Sequence, residues 1–340
     1  MRYTFVNKLL LFPLYFTLKF RHYLFDKGIL KSRKFDVPII SIGNISVGGT
    51  GKTPHTEFLI RELLPKYKVA VLSRGYGRKT RGFRIVEIDN KVSEVGDEPL
   101  QMKKKFSDII IAVCEKRVKG VEALLALPEE QRPTVILLDD GFQHRWISPS
   151  TNIVLIDFSL PLETEYLFPI GKLRDLPEQI QRADIIIVTK CPDEISLEAR
   201  FEWERRLRLN SRQRMLFSNI SYGEPESIFQ GADRRYIYSR FAILITAIAN
   251  PRPLIYHLLS DYKIIAKMSF RDHHNFTSSE VSRINKLAAK WPKAVIYTTE
   301  KDAQRLMSKN KLSENVKSRI FYIPIKVSII NKPEAGISFI

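Results

Sequence analysis

Phosphate chemistry is suggested first by the run Ser41-Ile42-Gly43-Asn44-Ile45-Ser46-Val47-Gly48-Gly49-Thr50-Gly51-Lys52-Thr53-Pro54. Its core matches the pattern G-x-x-x-x-G-K-[ST], with Ser46 where the first glycine belongs. Gly48, Gly49 and Gly51 let backbone N–H groups turn inward around phosphate oxygens. Lys52 would reach the β- and γ-phosphates, and Thr53 would offer its hydroxyl oxygen to Mg²⁺. Pro54, followed by the apolar spacing of Phe58, Leu59 and Leu63, predicts a helix whose N-terminus faces the anion. The cradle is therefore expected over Val47, Gly48, Gly49, Thr50, Gly51, Lys52, Thr53 and Pro54. Partitioning and maturation ATPases carry a lysine where Val47 stands, so a dimer-bridging switch of that kind is not expected.

Val135-Ile136-Leu137-Leu138-Asp139-Asp140 is an apolar strand ending in two acids, the form of a Walker B element. Adjacent residues of an extended chain point to opposite sides, so only one of Asp139 and Asp140 faces the metal directly. Asp97, in Gly96-Asp97-Glu98-Pro99, reads either as a helix N-cap or as a catalytic carboxylate. His273 stands in Arg271-Asp272-His273-His274, where proton transfer competes with a plain loop before a helix capped at Thr277 or Ser278. Ser73-Arg74-Gly75-Tyr76-Gly77-Arg78 is a basic, glycine-punctuated loop after a strand, the edge at which open α/β sheets bind ligands. Arg74 and Arg78 are candidates for a substrate phosphate, with a solvated loop as the alternative. Thr299 and Asp302 read as a capping box.

These residues need strands to hold them. Apolar β-branched runs at Pro38–Ile42, Val69–Leu72, Ile109–Val113, Val135–Leu138, Ile153–Ile156 and Ile185–Val188 alternate with helix-length segments. Such runs predict a mostly parallel sheet covered on both faces, an α/β P-loop core over residues 35–220. A second series, Phe241–Ile245, Ile264–Lys267, Ala294–Tyr297 and Ile320–Ile325, predicts a smaller α/β lobe over 221–340.

The 340 residues hold 55 Lys and Arg against 37 Asp and Glu, a formal charge of +18. That surplus must face nucleic acid, an anionic membrane or a phosphorylated substrate. Eight of the basic side chains lie in residues 1–34, with Asp26 as the sole acid. There Phe5, Leu9, Phe12, Phe16 and Phe20 share one helical stripe flanked by Lys8 and Lys19. The uncharged run of ten residues from Leu9 to Leu18 is too short to span a bilayer, which takes about twenty. We read a helix lying in a membrane interface, against the alternative of one packed on the protein's own core. No helix-turn-helix, zinc finger or aromatic RNA motif supports nucleic acid. Two cysteines and no Cys/His cluster argue against a disulfide scaffold or a structural zinc.

Taken in order, Val47–Pro54, Ser73–Arg78, Gly96–Pro99, Asp139–His144, Ile248–Pro251, Asp272–His274 and Thr299–Ala303 resemble the tetraacyldisaccharide 4'-kinase family over nearly the whole chain. The resemblance implies ATP and Mg²⁺, and phosphoryl transfer to a glucosamine hydroxyl of an acylated disaccharide 1-phosphate in lipid A biosynthesis. It also implies a peripheral place on the cytoplasmic face of a bacterial inner membrane. The family's catalytic aspartate maps to Asp97 with His273 as its partner, and Lys52, Thr53, Asp139 and Asp140 map to the nucleotide–metal site. Gln143 and His144 beside them are counted with Arg74 and Arg78 toward substrate. Three departures stand out: Gly171-Lys172-Leu173-Arg174-Asp175 for G-P-L-R-E, Ala247 for glycine, and Arg271 for a frequent proline. A soluble ligase of the dethiobiotin-synthetase type is the alternative, with Thr189-Lys190 reading the base.

Overall fold

The structure, a computed structural model, describes residues 5–160, 162, 165–271, 274–307, 309, 311–330 and 339. The chain divides into two compact units, one of residues 1–220 with 327–340 and one of residues 221–326.

The first unit begins with α1 (Phe5–Asp26), β1 (Ile39–Asn44), α2 (Lys52–Leu63), β2 (Val69–Ser73) and β3 (Arg84–Ile85). It continues with α3 (Val92–Val95), α4 (Asp97–Lys105), β4 (Ile110–Val113), α5 (Arg117–Leu125) and β5 (Val135–Asp139). Then come β6 (Thr151–Asp157), β7 (Ile185–Thr189), α6 (Leu197–Leu207) and β8 (Arg214–Tyr222). The second unit holds β9 (Glu226–Ser227), β10 (Phe241–Thr246), α7 (Arg252–Leu259), β11 (Lys263–Ser269) and α8 (Ser278–Lys290). It closes with β12 (Val295–Thr299), α9 (Glu300–Met307), α10 (Glu314–Lys317) and β13 (Ile320–Ile323), after which β14 (Ile325–Ile330) leads back to the first unit.

The large sheet runs β14-β8-β7-β6-β1-β5-β2-β4-β3. Its central pairs are parallel, and β3 on β4 is antiparallel. Every residue of β1, β2, β5 and β7 is buried, as strands covered on both faces require. The expected strands are all present, but β8 was missed because its apolar residues are spaced by Arg214, Ser218, Asn219 and Ser221. In the second unit β11-β10-β12-β13 are parallel, with β9 antiparallel at the edge. Thr299 and Asp302 form the expected cap, with Asp302 N donating to Thr299 Oγ1 at 3.1 Å.

Two boundaries differ from expectation. The lobe expected over 221–340 ends at Lys326, because Pro324 breaks the last apolar run and β14 joins the large sheet. Phe339 is buried in the first unit's core, where its ring meets Phe58 edge-on at 6.3 Å. The amino-terminal segment is also less separate than expected. Leu11, His22 and Phe25 of α1 are buried, and Leu11 joins the apolar cluster of Ile45, Phe142 and Leu173. The opposite face stays in solvent, with Phe12, Phe16 and Phe20 exposed by 63%, 59% and 53% and stacked ring on ring. The side chains of Phe5, Lys8 and Leu9 lie outside the described residues. No described helix is long and apolar enough to cross a membrane.

Candidate active site

The site is assembled at the carboxyl ends of the parallel strands. β1 delivers Asn44 into the glycine-rich loop, and Gly51, left-handed at φ 89°, caps α2. Gly48 is also left-handed, at φ 104°, and a side chain would be strained at either position. The loop's shape is held from below. Asn44 Nδ2 donates to Thr50 Oγ1 at 2.7 Å, and Thr189 Oγ1 donates to Thr50 O at 2.9 Å. His55, in the first turn of α2, is fully buried with Nδ1 2.7 Å from Gly51 O and Nε2 2.8 Å from Ser218 Oγ. The carbonyl only accepts, so Nδ1 carries the proton and Nε2 accepts from Ser218. Burial pushes the imidazole pKa down to about 4, which keeps that tautomer neutral at physiological pH.

Lys52 Nζ lies 3.5 Å from Asn44 Oδ1 and 3.9 Å from Asp140 Oδ1. Thr53 and Pro54 follow it in the first turn, partly exposed, and Val47 is exposed at the loop's tip. The eight expected cradle residues are thus one continuous loop and helix start.

Asp139 and Asp140 face different partners, but through a turn rather than the expected strand alternation, because β5 ends at Asp139. Asp139 is buried and accepts from Thr56 Oγ1 at 3.2 Å and Ser73 Oγ at 3.0 Å. Burial first, then the charges of Glu98 and Asp140, push its carboxyl up to about 6. Asp140 takes the left-handed backbone, φ 51°, and turns toward cations. Arg174 grips both its oxygens in a bidentate pair. Burial opposes Asp140's charge, but Arg174, Lys52 and Arg117 outweigh it and hold the carboxyl below its ordinary range.

Two arginines of this centre were not singled out from the sequence. Arg117 at the start of α5 is buried, with Nη1 donating to Cys114 O at 3.1 Å and Nη2 to Asp139 O at 3.4 Å. Its burial pulls its pKa down to about 10, so it stays a cation. Arg174 also donates to Asn44 O from Nη2 at 3.1 Å, tying the phosphate loop to Asp140. Their signal was position alone: Arg117 follows a strand's carboxyl end, and Arg174 sits in the Gly171–Asp175 segment.

Asp97 is buried at the start of α4, behind Gly96 at φ 94°, and its Oδ1 accepts from Glu98 N at 3.0 Å. The charge of Glu98, the next residue of α4, helps raise the Asp139 pKa. His273 lies outside the described residues. Its neighbour His274 bonds Glu280 Oε2 at 2.8 Å within the second unit.

The substrate candidates part company. Arg74 is exposed, and its charge helps depress Arg117 and His144. Arg78 donates from Nη2 to Gly82 O at 2.7 Å and to Glu115 Oε2 at 2.5 Å, its side chain is only 4% exposed, and its buried Nη1 has no partner. It holds its own loop closed. Gln143 Nε2 donates to Asn44 O at 2.7 Å, while its carbonyl accepts from Arg21 Nη2 at 2.8 Å. His144 is pulled down to about 4 by burial and by Arg117, Arg21 and Arg74, and its Nε2 has no partner. Thr189 and Lys190, offered as readers of a base, are engaged with Thr50 and with Asp157 at 2.6 Å.

Known proteins carry the same plan. The family model described as tetraacyldisaccharide-1-P 4'-kinase matches residues 8–339. A tetraacyldisaccharide 4'-kinase of Phocaeicola vulgatus is 42% identical over 316 residues, 91% of this chain and 86% of that protein. One of Porphyromonas gingivalis is 39% identical over 318 residues, 92% of this chain and 89% of that protein. The crystal structure of LpxK from Aquifex aeolicus in complex with ATP superposes with a TM-score of 0.71 at 28% identity, covering 95% of each chain. With a family match over nearly its full length, the chain belongs to the tetraacyldisaccharide-1-P 4'-kinase family.

Proposed function

We propose that this protein transfers the γ-phosphoryl group of ATP to the 4'-hydroxyl of a tetraacylated glucosamine disaccharide 1-phosphate, a step of lipid A biosynthesis. The observation that carries this reading is the junction of the phosphate loop with the Asp139–Asp140 pair, tied by Arg174 and Asn44. Thr53 and the Asp139–Asp140 pair are the residues that would hold Mg²⁺. No group of three His, Cys, Asp or Glu suited to a metal exists among the described residues. That donor set fits Mg²⁺, which keeps waters and takes phosphate oxygens with one or two protein ligands. When bound, the ion neutralises charge developing on the transferring phosphoryl group.

The chain's own residues do the rest. The loop N–H groups and Lys52 orient the phosphates, while Arg117 and Arg174 keep the pocket cationic as negative charge spreads over the equatorial oxygens. An unactivated sugar hydroxyl must lose its proton as the new P–O bond forms. Asp97, at the edge of the same site, is the acceptor we assign. We assign Arg74, Gln143 and His144 to the approach of the lipid, with Arg78 shaping the loop that bears Arg74.

The substrate is a lipid, so the enzyme must work at a bilayer surface. The exposed Phe12–Phe16–Phe20 stripe on α1 is our candidate contact, with anionic headgroups attracting the basic segment. On this reading the protein works peripherally at the cytoplasmic face of the inner membrane. The test is transfer of label from γ-labelled ATP to an acylated glucosamine disaccharide 1-phosphate in mixed micelles. Label should appear in the lipid with Mg²⁺ present and vanish for Asp97→Asn. Hydrolysis stimulated by single-stranded DNA with no lipid product would refute the reading.

A further inference from the structure

The segment between β6 and β7 carries a small apolar projection that the mechanism does not use. Its base is built into the core: Leu167 and Leu173 are buried, and both belong to the apolar cluster that contains Leu11 of α1. Its neck is closed by Phe168 N donating to Leu173 O at 2.7 Å, Leu173 N to Tyr166 O at 2.8 Å and Gly171 N to Leu167 O at 2.9 Å. Glu165 Oε1 accepts from Lys172 N at 2.9 Å, and a side chain at Gly171 would lie 2.3 Å from Tyr166 O. The tip is therefore held in one shape by its neck. Yet it raises Phe168 and Ile170 into solvent, 55% and 39% exposed, with exposed Lys172 beside them.

We propose that Phe168, Pro169 and Ile170 form a second lipid-inserting tip, which enters the bilayer together with the Phe12–Phe16–Phe20 stripe. The inference rests on the reading of this enzyme as acting at a lipid surface. Three observations favour a bilayer as the occupant. The protein's substrate is a membrane lipid under that reading. The tip's neck shares its core with α1, and His22 of α1 bonds Asp175 at 2.6 Å, just beyond the neck. Apolar tip residues flanked by a lysine, in a chain of net charge +18, match the apolar interior and anionic surface of such a membrane. A helix alone leaves the protein free to roll about that helix's axis, and a second insertion point removes that freedom. The neck is joined to the nucleotide loop, since Val47 N donates to Lys172 O at 2.5 Å and Arg174 N to Ile45 O at 2.9 Å. An inserted tip would thus set the phosphate loop at a fixed height over the headgroups, where a sugar hydroxyl is presented.

The test uses the full chain and vesicles of phosphatidylethanolamine and phosphatidylglycerol. Phe168→Ser with Ile170→Ser should lower the vesicle partition constant roughly tenfold or more while leaving the Kd for ATP unchanged, since two large apolar side chains leave the membrane. In a second arm, Phe168→Cys bearing an environment-sensitive dye should be quenched by lipids with nitroxides on their acyl chains. The buried Cys114 and Cys191 of similarly treated wild type serve as the blank. An unquenched dye, or a double variant that partitions like wild type, overturns the proposal. This includes a tip that takes only the substrate's own acyl chains, because the vesicles lack that substrate. If wild type itself does not bind these vesicles, the membrane reading of the whole enzyme falls with it. If Phe12, Phe16 and Phe20 changed to Ser abolish binding while the dye at 168 stays unquenched in the parent, the tip alone is refuted.

Discussion

Replacing Asp139 with Asn should make the nucleotide-free protein more stable at pH 8 and inactive. The carboxyl is buried, and its pKa rises from 3.8 to about 6 through burial and the charges of Glu98 and Asp140. Its proton is held more tightly folded than unfolded. Ionisation therefore turns against the fold as pH climbs from about 4 through about 6, and the penalty is complete above that. Two pKa units correspond to about 3 kcal/mol at pH 8, falling to about half that at pH 5. Asn removes the charge but offers one acceptor where Asp139 has two, so Ser73 or Thr56 must turn its hydroxyl to accept from the amide, at a cost of about 1 kcal/mol. The net gain is about 2 kcal/mol at pH 8, or roughly 4–8 °C in melting temperature for a unit of this size. The assay is thermal unfolding of both proteins without nucleotide at pH 8 and pH 5, then with Mg²⁺ and ATP. The variant should melt higher at pH 8, lose most of that advantage at pH 5, and gain less than wild type from Mg²⁺-ATP. A variant no more stable at pH 8, or one whose advantage ignores pH, would refute the assignment of a strained, charged carboxylate beside the phosphate loop.

Asp97→Asn should lower kcat by about 10²–10⁴-fold with the KM for ATP within twofold, as loss of a proton acceptor requires; a KM that rises in parallel would refute that role. His273→Ala should act in the same direction on kcat, on the strength of the family resemblance, and steady-state kinetics in mixed micelles reads both. His55→Ala removes the hydrogen bond to Gly51 O, so the KM for ATP should rise about tenfold, with His55→Asn restoring much of it because the amide N–H can replace Nδ1; equal losses for Ala and Asn would sink this positioning role. Arg78→Ala should destabilise the protein by about 2 kcal/mol by leaving Gly82 O and Glu115 without their guanidinium partner, and should not raise the KM for the lipid by itself.

Much of this was legible in the sequence because strand and phosphate-loop signals are local. A β-branched run such as Ile185–Val188 reads as a buried strand without knowledge of its neighbours, and Gly48 and Gly51 announce a backbone that only glycine adopts cheaply. The parts that escaped depend on contacts between distant residues. Arg174 lies 34 residues from Asp140, and no spacing rule joins them. Ser218 reaches His55 across 163 residues from a strand whose polar residues disguised it. Arg78 shows the converse, since its place in a basic loop suggests a ligand while the fold also uses its Nη2 to hold that loop closed.

The amino-terminal helix shows why those long-range contacts matter for function. Its composition suggests a membrane element whose removal, over residues 1–30, would lose vesicle binding before competence in ATP hydrolysis. The buried face contradicts that separation. Arg21 donates to the carbonyl of Gln143, whose side chain in turn bonds Asn44 of the phosphate loop. Arg145 lies 3.0 Å from His22 Nδ1 and pairs with Asp26 at 2.6 Å, and His22 Nε2 meets Asp175 next to Arg174. Deleting the helix would strip both the loop after β5 and the Arg174 segment of their supports, leaving Asp175 buried without its histidine. Such a truncation would lose catalysis whether or not a membrane is involved. The exposed phenylalanines share no hydrogen bond with that face, so substitution at Phe12, Phe16 and Phe20 separates lipid attachment from the active site where truncation does not.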